Sequence, residues 1–225
     1  MNNDYPDLCI KNGIIITPFK LLKDKSILVK EGKIISIAGI IEDELKNTKI
    51  IDAEGNYIVP GFIDLHAHGG GGADTMDGSS DSIKKIAETH CTYGTTSFLA
   101  TTMTMSSKHI LNSLKAVKES SKQGTGYASV LGIHLEGPYI NEAMKGAQNK
   151  EYIKSPVIEE FQEFNRASGN LIKIVTVAPE LPGAIDFIRW LKSQNIIASA
   201  GHTNATYEQT MEGISAGLEH ITAHF

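Results

Sequence analysis

After Pro60-Gly61 the chain settles into an alternation of short apolar runs and helical segments, and this rhythm constrains the fold more than any other feature of the sequence. β-like runs stand at 62–66, 95–102, 128–135, 172–177, 196–200 and 218–224. Between them, 80–93, 106–122, 156–167, 184–194 and 206–216 carry apolar residues at helical spacing or open on a capping residue such as Ser106. Strands joined by helices run parallel, because a parallel neighbour needs a crossover connection. Six such strands fit a doubly wound open sheet or a β/α barrel. The polar residues separate the two. His66, Glu136, His202 and His224 fall at or just after the C-terminal ends of different runs. A barrel gathers those ends at one mouth, whereas an open sheet spreads them along an edge. The sequence therefore predicts a barrel over residues 58–225, preceded by a small β domain over 1–57.

Residues 8–59 hold the short runs of that first domain. Asn12-Gly13 and Glu31-Gly32 look like tight turns in which glycine supplies positive φ, and the unit reads as antiparallel. With 41% hydrophobic and 21% charged residues, the chain can build a sizeable core. Its net charge of −5 argues against a nucleic-acid partner, which leaves a basic patch. No apolar run reaches the ~18 residues of a membrane span. The acidic start, Met-Asn-Asn-Asp, is unlike a signal peptide, and a cytoplasmic location is expected. Cys9 and Cys91 read as reduced structural thiols.

Four polar constellations carry the chemistry. In His66-Ala67-His68, residues i and i+2 of a strand point the same way, so two imidazoles can share one metal ion. In His134-Leu135-Glu136-Gly137-Pro138, an acid closes a buried run and is costly there unless paired or metal-bound. Gly201-His202-Thr203-Asn204-Ala205-Thr206 and His220-Ile221-Thr222-Ala223-His224 follow. Each alone also fits a satisfied core histidine; four at the ends of four runs are harder to assign to chance. The four glycines at 69–72 fit an anion-binding loop or a backbone crowded against a site. Asp74 and Asp77 fit loop caps, and His90 and His109 fit structural positions on helices.

The run from Val59 to His68 resembles the first barrel strand of the amidohydrolase superfamily. The glycines at 69–72, His134-Leu135-Glu136-Gly137-Pro138-Tyr139, Ala178-Pro179-Glu180 and Gly201-His202-Thr203-Asn204-Ala205-Thr206 are similar to its N-acetylglucosamine-6-phosphate deacetylase branch. The resemblance runs from about residue 8 to the end. It implies a (β/α)8 TIM barrel of the metal-dependent hydrolase type with about six of eight strands present, and a small N-terminal β-sandwich domain. It implies that Glu136, His202 and a histidine of the last run bind a divalent metal, Zn2+ or Fe2+. That last histidine is His224, with His220 as the competing position. His66 and His68 leave room for a second ion, so one or two per subunit are expected. Gln148 stands where many relatives carry a histidine and is the candidate substrate-binding residue.

The resemblance further implies a small amino-sugar phosphate as substrate, hydrolysis of its acetamide, and a homodimer when full length. Its general acid/base, an aspartate after an eighth strand, has no match here, so the chain is expected to be the front part of a longer protein. A dihydroorotase-like or isoaspartyl-dipeptidase-like amidase is the neighbouring reading. Glu136, standing where a dihydroorotase-like enzyme carries a lysine, speaks against the former. A non-catalytic metal-binding remnant is the reading from another class.

Overall fold

The computed structural model describes residues 5–39, 45 and 47–222, and the chain forms two compact units, Met1–Pro60 and Gly61–Phe225. The first unit contains β1 (Leu8–Lys11), β2 (Ile14–Ile16), β3 (Leu21–Leu22), β4 (Ser26–Lys30), β5 (Lys33–Ala38), β6 (Lys49–Asp52) and β7 (Tyr57–Ile58). They make a four-stranded sheet in the order β5-β4-β1-β6 and a three-stranded sheet in the order β3-β2-β7. Cys9, Ile15 and Ile27 are buried within it.

Two expectations for this unit are corrected. The sheets are mixed, not antiparallel: β6 pairs parallel with β1, and β7 parallel with β2. Both strands arrive through longer connections, so no two-residue turn dictates their direction. At Asn12-Gly13 the positive φ, 57°, belongs to Asn12. Gly13 is needed for space, because a Cβ there would sit 2.6 Å from Ile58 Cδ1 and 2.8 Å from the Ala53 Cβ.

The second unit opens with β8 (Phe62–Ala67) and a hairpin of β9 (Gly69–Gly70) and β10 (Ala73–Asp74). The glycines at 69–72 therefore make a tight turn. Asp74 and Asp77 form a reciprocal capping box on the short helix that follows, which agrees with reading them as caps. Then come α1 (Ser80–Thr92), β11 (Thr95–Thr101), α2 (Ser107–Gln123), β12 (Ser129–Glu136), α3 (Ile158–Ala167) and β13 (Ile172–Val177). The unit continues with α4 (Ala184–Ser193), β14 (Ile197–Ala200), α5 (Tyr207–Ala216) and β15 (Leu218–Ile221). The six long strands lie in one sheet in chain order, β8-β11-β12-β13-β14-β15, and every neighbouring pair is parallel.

Local chemistry sets these boundaries. Ser106 accepts from the His109 N–H, and Thr206 with Gln209 forms a capping box at α5. The inner helix faces and the strands share one core, with Ile83, Phe98, Leu114, Ile133, Phe161 and Phe187 all buried. Because neighbouring strands are parallel and in sequence order, the ends of β8, β12 and β14 lie on one rim. The last expected run begins at Leu218 as foreseen and ends at Ile221, while His224 lies outside the described residues. Among the described residues no helix is long and apolar enough to cross a membrane.

Gly13→Ala is expected to destabilise the first unit by about 1–3 kcal/mol, the usual cost of forcing atoms into filled space. Urea unfolding of the two proteins measures it, and equal midpoints would show that Ile58 and Ala53 yield without cost.

Candidate metal centre

Glu136 is the last residue of β12 and is only 3% exposed. Its Oε2 faces His68 Nε2 at 3.0 Å and accepts a hydrogen bond from Gln148 Nε2 at 2.8 Å. Its Oε1 faces His202 Nε2 at 3.4 Å and His66 Nε2 at 3.7 Å. One buried carboxylate thus has three imidazoles and an amide around it. His66 comes from the end of β8 and His68 from the residue just past it, and their Nε2 atoms approach to 3.1 Å. The shared face expected of positions i and i+2 is what the structure has. Among the described residues, the ligand atoms of His66, His68 and Glu136 lie within 4.8 Å of one another.

His202 follows β14 in a loop whose backbone is constrained on both sides. Its φ is 49°, a left-handed conformation that costs a β-carbon residue energy. A Cβ on the preceding Gly201 would stand 2.8 Å from Thr176 Cγ2 and from Thr222 Cβ, so only glycine lets this backbone pass. His202 Nδ1 bonds the Met144 carbonyl at 2.9 Å, which leaves Nε2 for the carboxylate. Glu180 holds the same loop. It accepts from Thr203 Oγ1 at 2.5 Å, from the Asn204 N–H at 2.7 Å and from Asn141 Nδ2 at 2.9 Å. The sequence motif Ala-Pro-Glu carries no evident role when read alone; its carboxylate ties the loops after β12, β13 and β14 together.

Burial pushes the Glu136 carboxyl up, but hydrogen bonds from His202 and His68 and the nearby His66 outweigh it and hold the group far below the ordinary carboxylate range. The bond to Glu136 raises His202 against its own burial. Burial lowers His66. Desolvation also takes His134, two residues before Glu136, down to about 4.

The donor set suits a divalent cation. Two facing imidazole nitrogens 3.1 Å apart hold at most one hydrogen between them, and a carboxylate beside them supplies negative charge. Imidazole with carboxylate is the ligand chemistry of Zn2+ and Fe2+. Gln148 is buried at 3% exposure; its Oε1 accepts from the Thr104 N–H at 2.6 Å, which aims its NH2 at Glu136. His220 lies on β15 with Nδ1 2.8 Å from Ser199 Oγ and is outside the tight group. A cleft of about 1110 Å3 opens over this rim, lined by His66, His68, Glu136, Gln148, His202 and His220 among others.

A parallel β/α sheet with an acid and imidazoles gathered at the C-terminal strand ends is the arrangement of metal-dependent hydrolases on partial or complete barrels. The amidohydrolase family model matches residues 57–224, and the chain belongs to that family. The chain is 39% identical over 221 residues to N-acetylglucosamine-6-phosphate deacetylase of Bacillus subtilis (strain 168), covering 96% of this chain and 55% of that protein. It is 33% identical over 205 residues to N-acetylgalactosamine-6-phosphate deacetylase of Escherichia coli O157:H7, covering 91% and 53%. The crystal structure of N-acetylglucosamine-6-phosphate deacetylase from Pasteurella multocida matches with a TM-score of 0.85 at 32% identity, over 94% of this chain and 55% of that one. The sheet is thus part of a TIM barrel of the amidohydrolase fold. The chain spans about half the length of the curated relatives it matches.

Four shifted groups place the stability optimum of the chelated protein close to neutrality: His134 and His66, both lowered by burial, resist protonation in the fold and add stability as pH rises toward ~6.5. The depressed Glu136 stabilises the fold above its unfolded value, ~4.3, and that contribution is lost as pH falls below it. The raised His202 stabilises below ~6.5 and loses its contribution as pH rises through its folded value. Urea midpoints across pH should therefore peak near ~6.5, and Glu136→Gln should soften the decline on both sides of it. A Glu136→Gln profile parallel to wild type would contradict the pairing.

Proposed function

We propose that the protein of which this chain is a part or the whole hydrolyses the acetamide of N-acetylglucosamine 6-phosphate, releasing glucosamine 6-phosphate and acetate. The observation that carries the reading is the buried Glu136 carboxylate with three imidazoles on it, at the rim of a cleft in an amidohydrolase barrel. The names of the relatives supply the substrate class.

Glu136 and His202 hold the divalent ion, Zn2+ or Fe2+, together with His224. His66 and His68 contribute to the same site or to a second ion beside it. Such an ion, when bound, supplies Lewis acidity to an amide carbonyl and lowers the pKa of water from 15.7 toward about 7. The protein's own residues do the rest. Glu180 and Met144 fix the His202 ring, and Gln148 fixes the Glu136 carboxylate while forming part of the cleft wall that contacts substrate. No residue within 1–225 is assigned the acid–base role, which the family resemblance gives to an aspartate after an eighth strand. A charged sugar-phosphate substrate supports a cytoplasmic enzyme, and the family resemblance supports a homodimer. The domain division we favour is a β-sandwich over 1–57 and the barrel from 58 onward.

Acetate release is the direct test, with N-acetylglucosamine 6-phosphate and its galactosamine epimer as parallel substrates. Turnover should favour the former, vanish on chelation and return with Zn2+ or Fe2+. Glu136→Gln should lower kcat/KM on the order of a thousandfold, the several kcal/mol a metal supplies to such a reaction. His202→Ala should lower metal affinity by more than about tenfold, since loss even of an outer partner costs that much. Chelator-resistant turnover, or full metal content in His202→Ala, would overturn the assignment.

A further inference from the structure

A row of polar side chains runs beneath the candidate centre through strands that are otherwise apolar. His66 Nδ1 lies 3.3 Å from His134 Nδ1, and His134 Nε2 lies 2.8 Å from Thr176 Oγ1. Thr176 Oγ1 is 2.7 Å from Thr222 Oγ1, which is 2.7 Å from Ser199 Oγ, which is 2.8 Å from His220 Nδ1. The chain thus links His66, at one end of the sheet, to His220, which lines the cleft at the other. His134, Thr176 and Ser199 are buried, so water does not compete for these bonds.

Counting hydrogens leaves the row two arrangements. Each hydroxyl has one hydrogen and two partners, so it donates to one side and accepts from the other. The His134 ring is buried and faces a carbonyl, a hydroxyl and an imidazole with no carboxylate among these partners, so it is neutral and also carries a single hydrogen. In the first arrangement His134 Nδ1 donates to the Leu65 carbonyl, 3.2 Å away, the hydroxyls point toward His134, and His220 carries its hydrogen on Nδ1. In the second, His66 Nδ1 donates to His134 Nδ1, His134 Nε2 donates to Thr176, the hydroxyls point toward His220, and His220 Nδ1 accepts. His220 then carries its hydrogen on Nε2.

The geometry points to this row as a positioning relay that sets the His66 tautomer and couples it to His220. The inference rests on the proposed metal site. A His66 ring that presents a lone pair from Nε2 must carry its hydrogen on Nδ1, which meets a lone pair on His134 only in the second arrangement. In the first, two N–H groups would point at each other across 3.3 Å. Passage from first to second balances. One proton leaves His66 Nε2 for solvent, each hydrogen of the row steps one atom toward His66, and His220 Nε2 takes one proton from cleft water. Net charge along the row is unchanged. His220 thereby becomes a donor facing the cleft when His66 is engaged as a ligand. His134, Thr176, Thr222 and Ser199 act through these two rings and are positioning residues.

Nitrogen NMR of ring-labelled histidines, on the full chain titrated with Zn2+, reads both tautomers directly. Engagement of His66 Nε2 should be accompanied by a change of His220 from the Nδ1–H to the Nε2–H form. Thr176→Val keeps the shape and removes the link, so it should leave His220 unchanged and weaken Zn2+ by about tenfold, the low end for an outer-partner loss. Ser199→Ala cuts the same row one hydroxyl from His220 and should uncouple it in the same way. The relay is overturned if His66 is ligated while His220 does not change, if the change persists in both variants, or if His220 Nε2 itself ligates the ion. Failure of Zn2+ to reach His66 at all would overturn the relay, whereas failure to bind at Glu136 and His202 as well would overturn the metal site with it.

Discussion

The second unit is organised around one electrostatic obligation, the buried carboxylate of Glu136. A lone carboxylate at the end of an apolar strand carries a desolvation penalty of several kcal/mol unless cationic or hydrogen-bonding partners meet it. His68, His202, His66 and Gln148 meet it, and each comes from a different turn or loop of the chain or from β8. Satisfying that group therefore requires the strand ends to be in register. The parallel, in-order sheet does this, because every helix returns the chain to the same side before the next strand begins.

The loops above the strands are held by similar means. Glu180 gathers three donors from two segments, and the Asn141 N–H donates to the His202 carbonyl at 2.9 Å. Those bonds stabilise a left-handed histidine that would not adopt its φ of 49° unaided. Below the centre the polar row from His134 to Ser199 is fully partnered, so its burial costs little and its hydrogens are directional. Rigidity at the rim thus comes from hydrogen bonds above and below one carboxylate, and the aliphatic core supplies the platform.

Most of the barrel was legible because its signals are local. The alternation from Phe62 onward and the cap Ser106 mark elements whose ends shift by only a residue or two in the structure, the end of the last run excepted. His66, His68, Glu136 and His202 were legible as a group because the C-terminal ends of parallel strands must share a rim. The direction of β6 and β7 was not legible, since it depends on pairing across sequence and not on a turn. Nor was the role of Gly13, whose neighbours Ala53 and Ile58 are some forty residues away in sequence. Glu180 was visible as part of a motif, but its function lies in bonds to other loops. Thr176 and Ser199 carry no signal of their own within their apolar runs; the link between them needs Thr222, contributed by the segment after β15.

The central claim is that this rim holds a divalent ion on Glu136, and anomalous diffraction at the zinc edge from Zn2+-soaked crystals tests it most directly. The account predicts a peak bounded by Glu136 and His202, with His66 or His68 adjoining, at about 2.0–2.2 Å from the ligating atoms. An anomalous map with no peak at this rim, or with its strongest peak away from Glu136, would contradict it.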